Sequence, residues 1–118
     1  MPLKLYTEEK RVTACLIGEI DHHGAGALRE EIDGMLKRVR PDTLILDFRD
    51  VTFMDSSGIG LVMGRYRLIQ EWDGVVEIHN PLPSIKKVMR LAGLDRIASI
   101  HSSPPKSGAN PEKTEARV

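Results

Sequence analysis

The chain has 118 residues, with 17 basic and 17 acidic side chains and a formal net charge of zero at neutral pH. That length fits one domain with a modest core, and the charge balance favours neither nucleic acid nor a lipid surface, both of which select basic patches. Cys15 is the single cysteine, so no internal disulfide can form, and no stretch approaches ~20 apolar residues; the start Met1-Pro2-Leu3-Lys4 also lacks a signal-peptide pattern, which points to the cytoplasm.

Leu3, Leu5 and Thr7 alternate with polar neighbours and predict a half-buried strand. Glu9-Lys10 is a short polar break, and Arg11 to Gly18 is a second, more apolar strand that could pair with the first as a hairpin. Cys15 lies in that strand and is expected to be a buried core thiol. The segment from Gly18 to Gly24, with Asp21-His22-His23 inside it, is polar and bracketed by glycine, so it reads as a loop entering a helix.

Ala27, Leu28, Ile32, Met35, Leu36 and Val39 recur at helical spacing and predict an amphipathic helix over 25–39, ended by Arg40-Pro41-Asp42. Thr43 to Phe48 is a buried strand, and residues 50–55 read as its connection to the next helix, with Val51 and Phe53 turned inward. In that helix Ile59, Val62, Met63, Tyr66 and Ile69 form the inner face, Leu61 and Leu68 lie elsewhere, and Arg65 and Arg67 mark a polar side. Asp73-Gly74 is a turn and Val75 to Ile78 a short strand. Asn80-Pro81 starts a third helix, with Asn80 as cap, and Gly93 ends it. Ile97 to Ile100 is a last short strand. From His101 the chain is rich in Pro and Ser and poor in apolar residues, which reads as a flexible tail over 101–118. The expected fold is α/β: a single domain over 1–100, with a mixed, mostly parallel sheet of about five strands and helices packed against it.

The most informative stretch is Asp55-Ser56-Ser57-Gly58, at the junction of the central strand and its helix. Serines there suit helix capping, and a helix N-terminus also receives phosphate readily. Other chemistries fit less well. Ser56, Ser57, His22, His23, Asp21 and Asp55 supply the residue types of a catalytic triad, but the Gly-x-Ser-x-Gly elbow is absent. His22-His23 has no companion ligand pattern for a metal. Gly58, Gly60 and Gly64 miss the spacing of a dinucleotide fingerprint, so they are better read as exposing backbone for close approach by another surface. The five aromatic residues give little for a base-stacking platform. Phosphorylation of a serine here would add ~1.5 to 2 negative charges beside Asp55, leaving the fold intact while changing what can dock.

In Gly18-Glu19-Ile20-Asp21-His22-His23, in Phe53-Met54-Asp55-Ser56-Ser57-Gly58-Ile59-Gly60 with Gly64-Arg65-Tyr66, and in Ala92-Gly93-Leu94, the chain resembles the anti-sigma factor antagonists. These are the small single-domain members of the STAS family, and the motifs resemble its sporulation-type members in particular. The resemblance runs from about Leu3 to Ile100. It implies a binding protein rather than an enzyme. The unphosphorylated form would bind an anti-sigma factor that is also a serine kinase, freeing the sigma factor for transcription. Phosphorylation of Ser57, with Ser56 the weaker candidate, would switch binding off, and a PP2C-type serine phosphatase would restore it. By the same resemblance Asp21, His22, His23, Asp55, Ser56, Gly58, Gly60, Gly64 and Arg65 would meet the partner. ATP would belong to the kinase, so the antagonist itself needs no cofactor or metal. One departure is the Pro- and Ser-rich end, where family members commonly carry a further helix. The alternative is a constitutive STAS scaffold in a stress-signalling complex, with the serines only capping.

Overall fold

The computed structural model describes residues 2–102. Strands β1 (Leu3–Glu8) and β2 (Arg11–Ile20) form the expected hairpin, closed by Glu9 in the left-handed region at φ 53°. There follow helix α1 (Ala25–Val39), strand β3 (Thr43–Met54), helix α2 (Ser56–Ile69), strand β4 (Val75–His79), helix α3 (Pro83–Leu91) and strand β5 (Ser99–His101). The five strands lie in sequence order in one sheet, with β1 antiparallel to β2 and all later neighbours parallel. This is the predicted α/β architecture, and it follows from three strand–helix–strand units, each crossing back to the adjacent strand.

The core lies between the sheet and the helices. Val12, Ala14 and Leu16 on β2, Leu44, Leu46 and Phe48 on β3, and Val76 and Ile78 on β4 alternate inward and are buried. Leu28, Ile32 and Leu36 of α1, Leu61, Val62 and Ile69 of α2, and Ile85 and Met89 of α3 meet them in one cluster. Each such aliphatic side chain contributes on the order of 1.5–3 kcal/mol by leaving water. The alternate residues, among them Thr13, Cys15, Ile45, Asp47, Glu77 and His79, occupy the opposite, half-exposed face of the sheet.

Several expectations are corrected. Cys15 is half-buried on that opposite face rather than in the core, because Ala14 and Leu16 take the inward positions. Burial is the main cause that raises its thiol pKa, followed by the nearby carboxylates of Asp47 and Asp50. Residues 18–20 continue β2 instead of opening a loop: Gly18 adopts φ 87°, and Ile20 is buried opposite Met54. β3 likewise runs on through residues 49–54. Its pairing with β2 slips twice, from Cys15–Asp47 to Ile17–Asp50 and from Gly18–Val51 to Glu19–Phe53, so two extra residues sit in β3. These irregularities break the two-residue alternation. Val51 and Met54 point inward, and Phe53 turns out and is 49% exposed. On α2, Leu61 is buried and Met63 exposed, since the inner stripe runs through Gly58, Leu61, Val62, Arg65 and Ile69. On α1, Ala27 is exposed. Asn80 does not cap α3. It sits at φ 59° with its N–H on the carbonyl of His101, and the helix starts later, with Pro83 in its first turn. The last strand begins at Ser99 and includes His101, so the expected tail does not start there; residues 103–118 lie outside those described.

No helix among the described residues is long and apolar enough to cross a membrane.

Candidate functional site

Because β2 and β3 are parallel neighbours, both deliver their following loops to the same end of the sheet. Ile20 pairs with Met54, and the carbonyl of Ile20 accepts the N–H of Asp55 at 3.1 Å. The loop 21–24 and the start of α2 are thereby fixed side by side.

Asp21 organises its loop. Its Oδ1 accepts the N–H of His23 at 3.1 Å and of Gly24 at 3.0 Å, and its carbonyl accepts the N–H of Ala25 at 2.9 Å. A short Asp side chain bonding its own backbone two and three residues on builds a turn of this kind. The rings of His22 and His23 lie 4.1 Å apart between centroids, tilted by 35°, and His22 Nδ1 reaches to 3.9 Å from Asp55 Oδ2.

The cap of α2 is Asp55, not the serines. Its backbone is extended, its Oδ1 accepts the N–H of Ser57 at 2.8 Å, and the same oxygen accepts the Ser57 hydroxyl in a short hydrogen bond. Carboxylates cap as well as hydroxyls do, and their charge opposes the positive end of the helix dipole. The hydrogen bond from the Ser57 side chain, then that from its backbone, holds the Asp55 carboxyl below its usual pKa; His22 adds a smaller effect of the same sign. Ser56 and Ser57 thus occupy the first turn of α2, Ser56 exposed and Ser57 half-buried.

Gly58 is required by close packing: a Cβ there would run into the Met54 side chain and touch Ile20. Gly60 and Gly64 differ, since a Cβ at either would meet nothing within 4 Å. Ser57, Gly60 and Gly64 lie at helical spacing, so α2 presents a low-relief stripe beside its N-terminus. A groove of about 400 Å³ opens there, lined by His22, Gly26, Arg29, Ser57, Gly60 and Arg65, among others.

Arg65 is not on a polar outer side. It is 5% exposed, and its Nε approaches Asp33 Oδ1 of α1 to 2.7 Å, off the line of a well-aligned hydrogen bond. Its NH1 donates to the carbonyl of Leu61 at 3.3 Å. Burial lowers the guanidinium pKa, and the Asp33 charge works against that. Arg65 therefore forms the floor of the groove and ties α2 to α1. Of the nine residues predicted to meet a partner, the structure gathers Asp21, His22, His23, Asp55, Ser56 and Gly60 around one end of the sheet beside the predicted acceptor Ser57, with Gly64 farther along α2. Gly58 and Arg65 instead face inward. Sequence reasoning missed Asp33 and Arg29. Asp33 and Arg29 lie on α1 among ordinary surface charges, and only the packing of α1 on α2 singles them out.

Comparison with known proteins follows the same lines. Residues 6–106 match the STAS domain model. An anti-sigma F factor antagonist of Lysinibacillus sphaericus is 37% identical over 92 residues, 78% of this chain and 78% of that protein. The structure of the anti-sigma factor antagonist SpoIIAA in its unphosphorylated form is similar at a TM-score of 0.75 and 33% identity, covering 83% of this chain and 86% of that one. That of the Bacillus cell fate determinant SpoIIAA in the phosphorylated form gives a TM-score of 0.68 at 33% identity, covering 83% and 89%.

Proposed function

The chain belongs to the STAS domain family, and from that premise we propose that it is an anti-sigma factor antagonist that works by partner switching. In this reading the surface around Ser57 docks on an anti-sigma factor with serine-kinase activity and displaces the sigma factor. The γ-phosphoryl group of ATP, held by that kinase, then passes to Ser57: a bond forms between Oγ and phosphorus, the bond to the β-phosphate bridge breaks, the hydroxyl proton goes to a base of the kinase, and ADP leaves. A PP2C-type serine phosphatase hydrolyses the phosphoserine and resets the switch.

The observation that carries this reading is the setting of the Ser57 hydroxyl. It is half-buried, oriented by Asp55, and beside an open groove on the first turn of a helix. The helix N-terminus tolerates a phosphate within the fold. The added charge of about −1.5 to −2 lies against Asp55, so it alters the docking face while the core stays as it is. Ser56 is more exposed but has no such orienting carboxylate among its described side-chain contacts, which supports Ser57 as acceptor.

The test is intact mass with site mapping after incubation with a purified anti-sigma serine kinase and ATP, alongside size-exclusion chromatography of the complex. One phosphate on Ser57 with loss of the complex is the expected result, and Ser57→Ala retains binding but resists inactivation. A tight complex without any mass change replaces this reading with that of a constitutive scaffold, and a phosphate mapped to Ser56 moves the acceptor.

A further inference from the structure

On the sheet face opposite the helices, one row crosses all five strands. Lys4 of β1 lies beside Cys15 of β2, Cys15 beside Asp47 of β3, Asp47 beside His79 of β4, and His79 beside His101 of β5. Register partners in adjacent strands project to the same side, about 4.8 Å apart. Glu77, two residues before His79, shares that side. The row thus brings two imidazoles and a carboxylate together at the β4–β5 edge, although the two histidines lie 22 positions apart in sequence.

We propose that Glu77, His79 and His101 form a binding site for a divalent transition-metal ion of the zinc type. One ligand atom from each residue lies within 4.8 Å of the others. His79 Nε2 is 2.9 Å and His101 Nε2 4.0 Å from the same oxygen, Oε1 of Glu77. A tetrahedral ion with bonds of about 2.0–2.1 Å to nitrogen and oxygen holds its ligand atoms roughly 3.3 Å apart. The two measured separations bracket that value, so small side-chain rotations suffice. The ring centroids of His79 and His101 are 5.0 Å apart and tilted by 48°, which leaves space between them. His101 gives up one contact on coordinating, the 2.9 Å hydrogen bond between its Nε2 and Ser99 Oγ.

Two imidazoles with one carboxylate are a donor set that suits zinc, with the fourth position left to water or to another ligand. The side chains of Glu77, His79 and His101 are 31%, 26% and 49% exposed, so an ion can enter from solvent. Asp47, at the next position of the row, adds a further negative charge beside His79. Coordination would fasten β5, a strand of three residues at the sheet edge, to β4. The site lies on the face away from α1 and α2 and uses none of the residues around Ser57.

The experiment is calorimetric titration of the metal-free, full-length chain with zinc chloride, with ¹H–¹⁵N spectra of the histidine rings recorded in parallel. The expected result is one ion per chain, with shifts at His79 and His101 and none at His22 and His23. His79→Gln and His101→Gln should each weaken binding by about 10-fold or more, in the manner of lost ligation. Zinc should raise the melting temperature of the wild type and leave that of the double variant unchanged. Melts without metal show whether the variants fold; should either fail to fold, the ring shifts of the wild type decide. Absence of binding at millimolar zinc, binding unaltered by both substitutions, or shifts confined to His22 and His23 would each overturn the proposal.

Discussion

Asp33 and Arg65 lock α1 to α2 behind the groove: the Arg65 guanidinium, 5% exposed, sits 2.7 Å from the Asp33 carboxylate across the helix interface. A buried charge tolerates its surroundings only while its counterion is in place. Asp33→Asn should therefore cost about 3 kcal/mol, because it leaves the buried guanidinium without its counterion, and Arg65→Ala should have the smaller electrostatic cost, because the Asp33 carboxylate it leaves behind keeps more contact with water. The paired replacement Asp33→Leu with Arg65→Met should be less destabilising than either single change, since it removes the charge together with its desolvation cost. Urea unfolding of the four proteins checks this. A paired variant less stable than both single variants would mean that the ion pair contributes more than its desolvation costs.

Asp55 links the stability of α2 to pH. Its carboxyl pKa is lowered in the folded chain by the hydrogen bonds from Ser57, so its ionised form favours folding. A depressed carboxyl pKa contributes stability that is present above the unfolded value and is lost as pH falls through the folded value. Asp55→Ala should melt lower than the wild type at neutral pH, and the gap should close in acid, below the ordinary value of 3.8. Thermal melts across that range, read by circular dichroism, measure it. A gap that stays constant with pH would assign the cap to a contact other than the carboxylate.

The element order was readable because each helix carries its apolar residues at three- and four-residue intervals and each central strand is a short apolar run. The limits of α1, Ala25 to Val39, came directly from that spacing. Legibility failed where one residue changes the period. The left-handed backbone of Gly18 lets β2 continue through a segment that looks like a loop, and two extra residues in β3 turn Phe53 outward and Met54 inward. The Asp-Ser-Ser-Gly motif located the site, but a motif does not say which side chain caps and which is free; Asp55 took the role expected of the serines. Arg65 misled because charge usually marks a wet face, and its counterion lies 32 residues away on another helix. The pairing of His79 with His101 depends on parallel register, to which local sequence is blind.

Phe53 tests whether that outward turn serves docking. An aromatic ring 49% exposed, two residues before the cap of α2, contributes little to the core. Phe53→Ser should leave stability within about 0.5 kcal/mol, as for other surface changes. It should weaken binding to the anti-sigma kinase by about 10-fold or more if the ring is an anchor of the interface. Denaturant midpoint and calorimetric affinity, measured on the same protein, separate the two effects; equal affinity would place Phe53 outside the docking surface.

Gly58 and Gly60 lie two residues apart on α2 and should respond oppositely to the same change. At Gly58 a methyl group collides with Met54, so Gly58→Ala should lose roughly 1 kcal/mol, the overpacking cost exceeding the gain in helix propensity. At Gly60 the methyl group meets open space, and Gly60→Ala should gain up to about 1 kcal/mol from propensity alone. The same methyl group rises from the stripe beside Ser57 and lines the groove, so a partner that seats closely on α2 is pushed away. Gly60→Ala is thus expected to be more stable and to bind the kinase more weakly, with slower phosphorylation of Ser57. Urea midpoints, with initial rates of phosphoryl transfer on the same variants, check both parts. A Gly60→Ala protein that is stabilised and phosphorylated at the wild-type rate would show that the partner approaches Ser57 from the side of the 21–24 loop and not along α2.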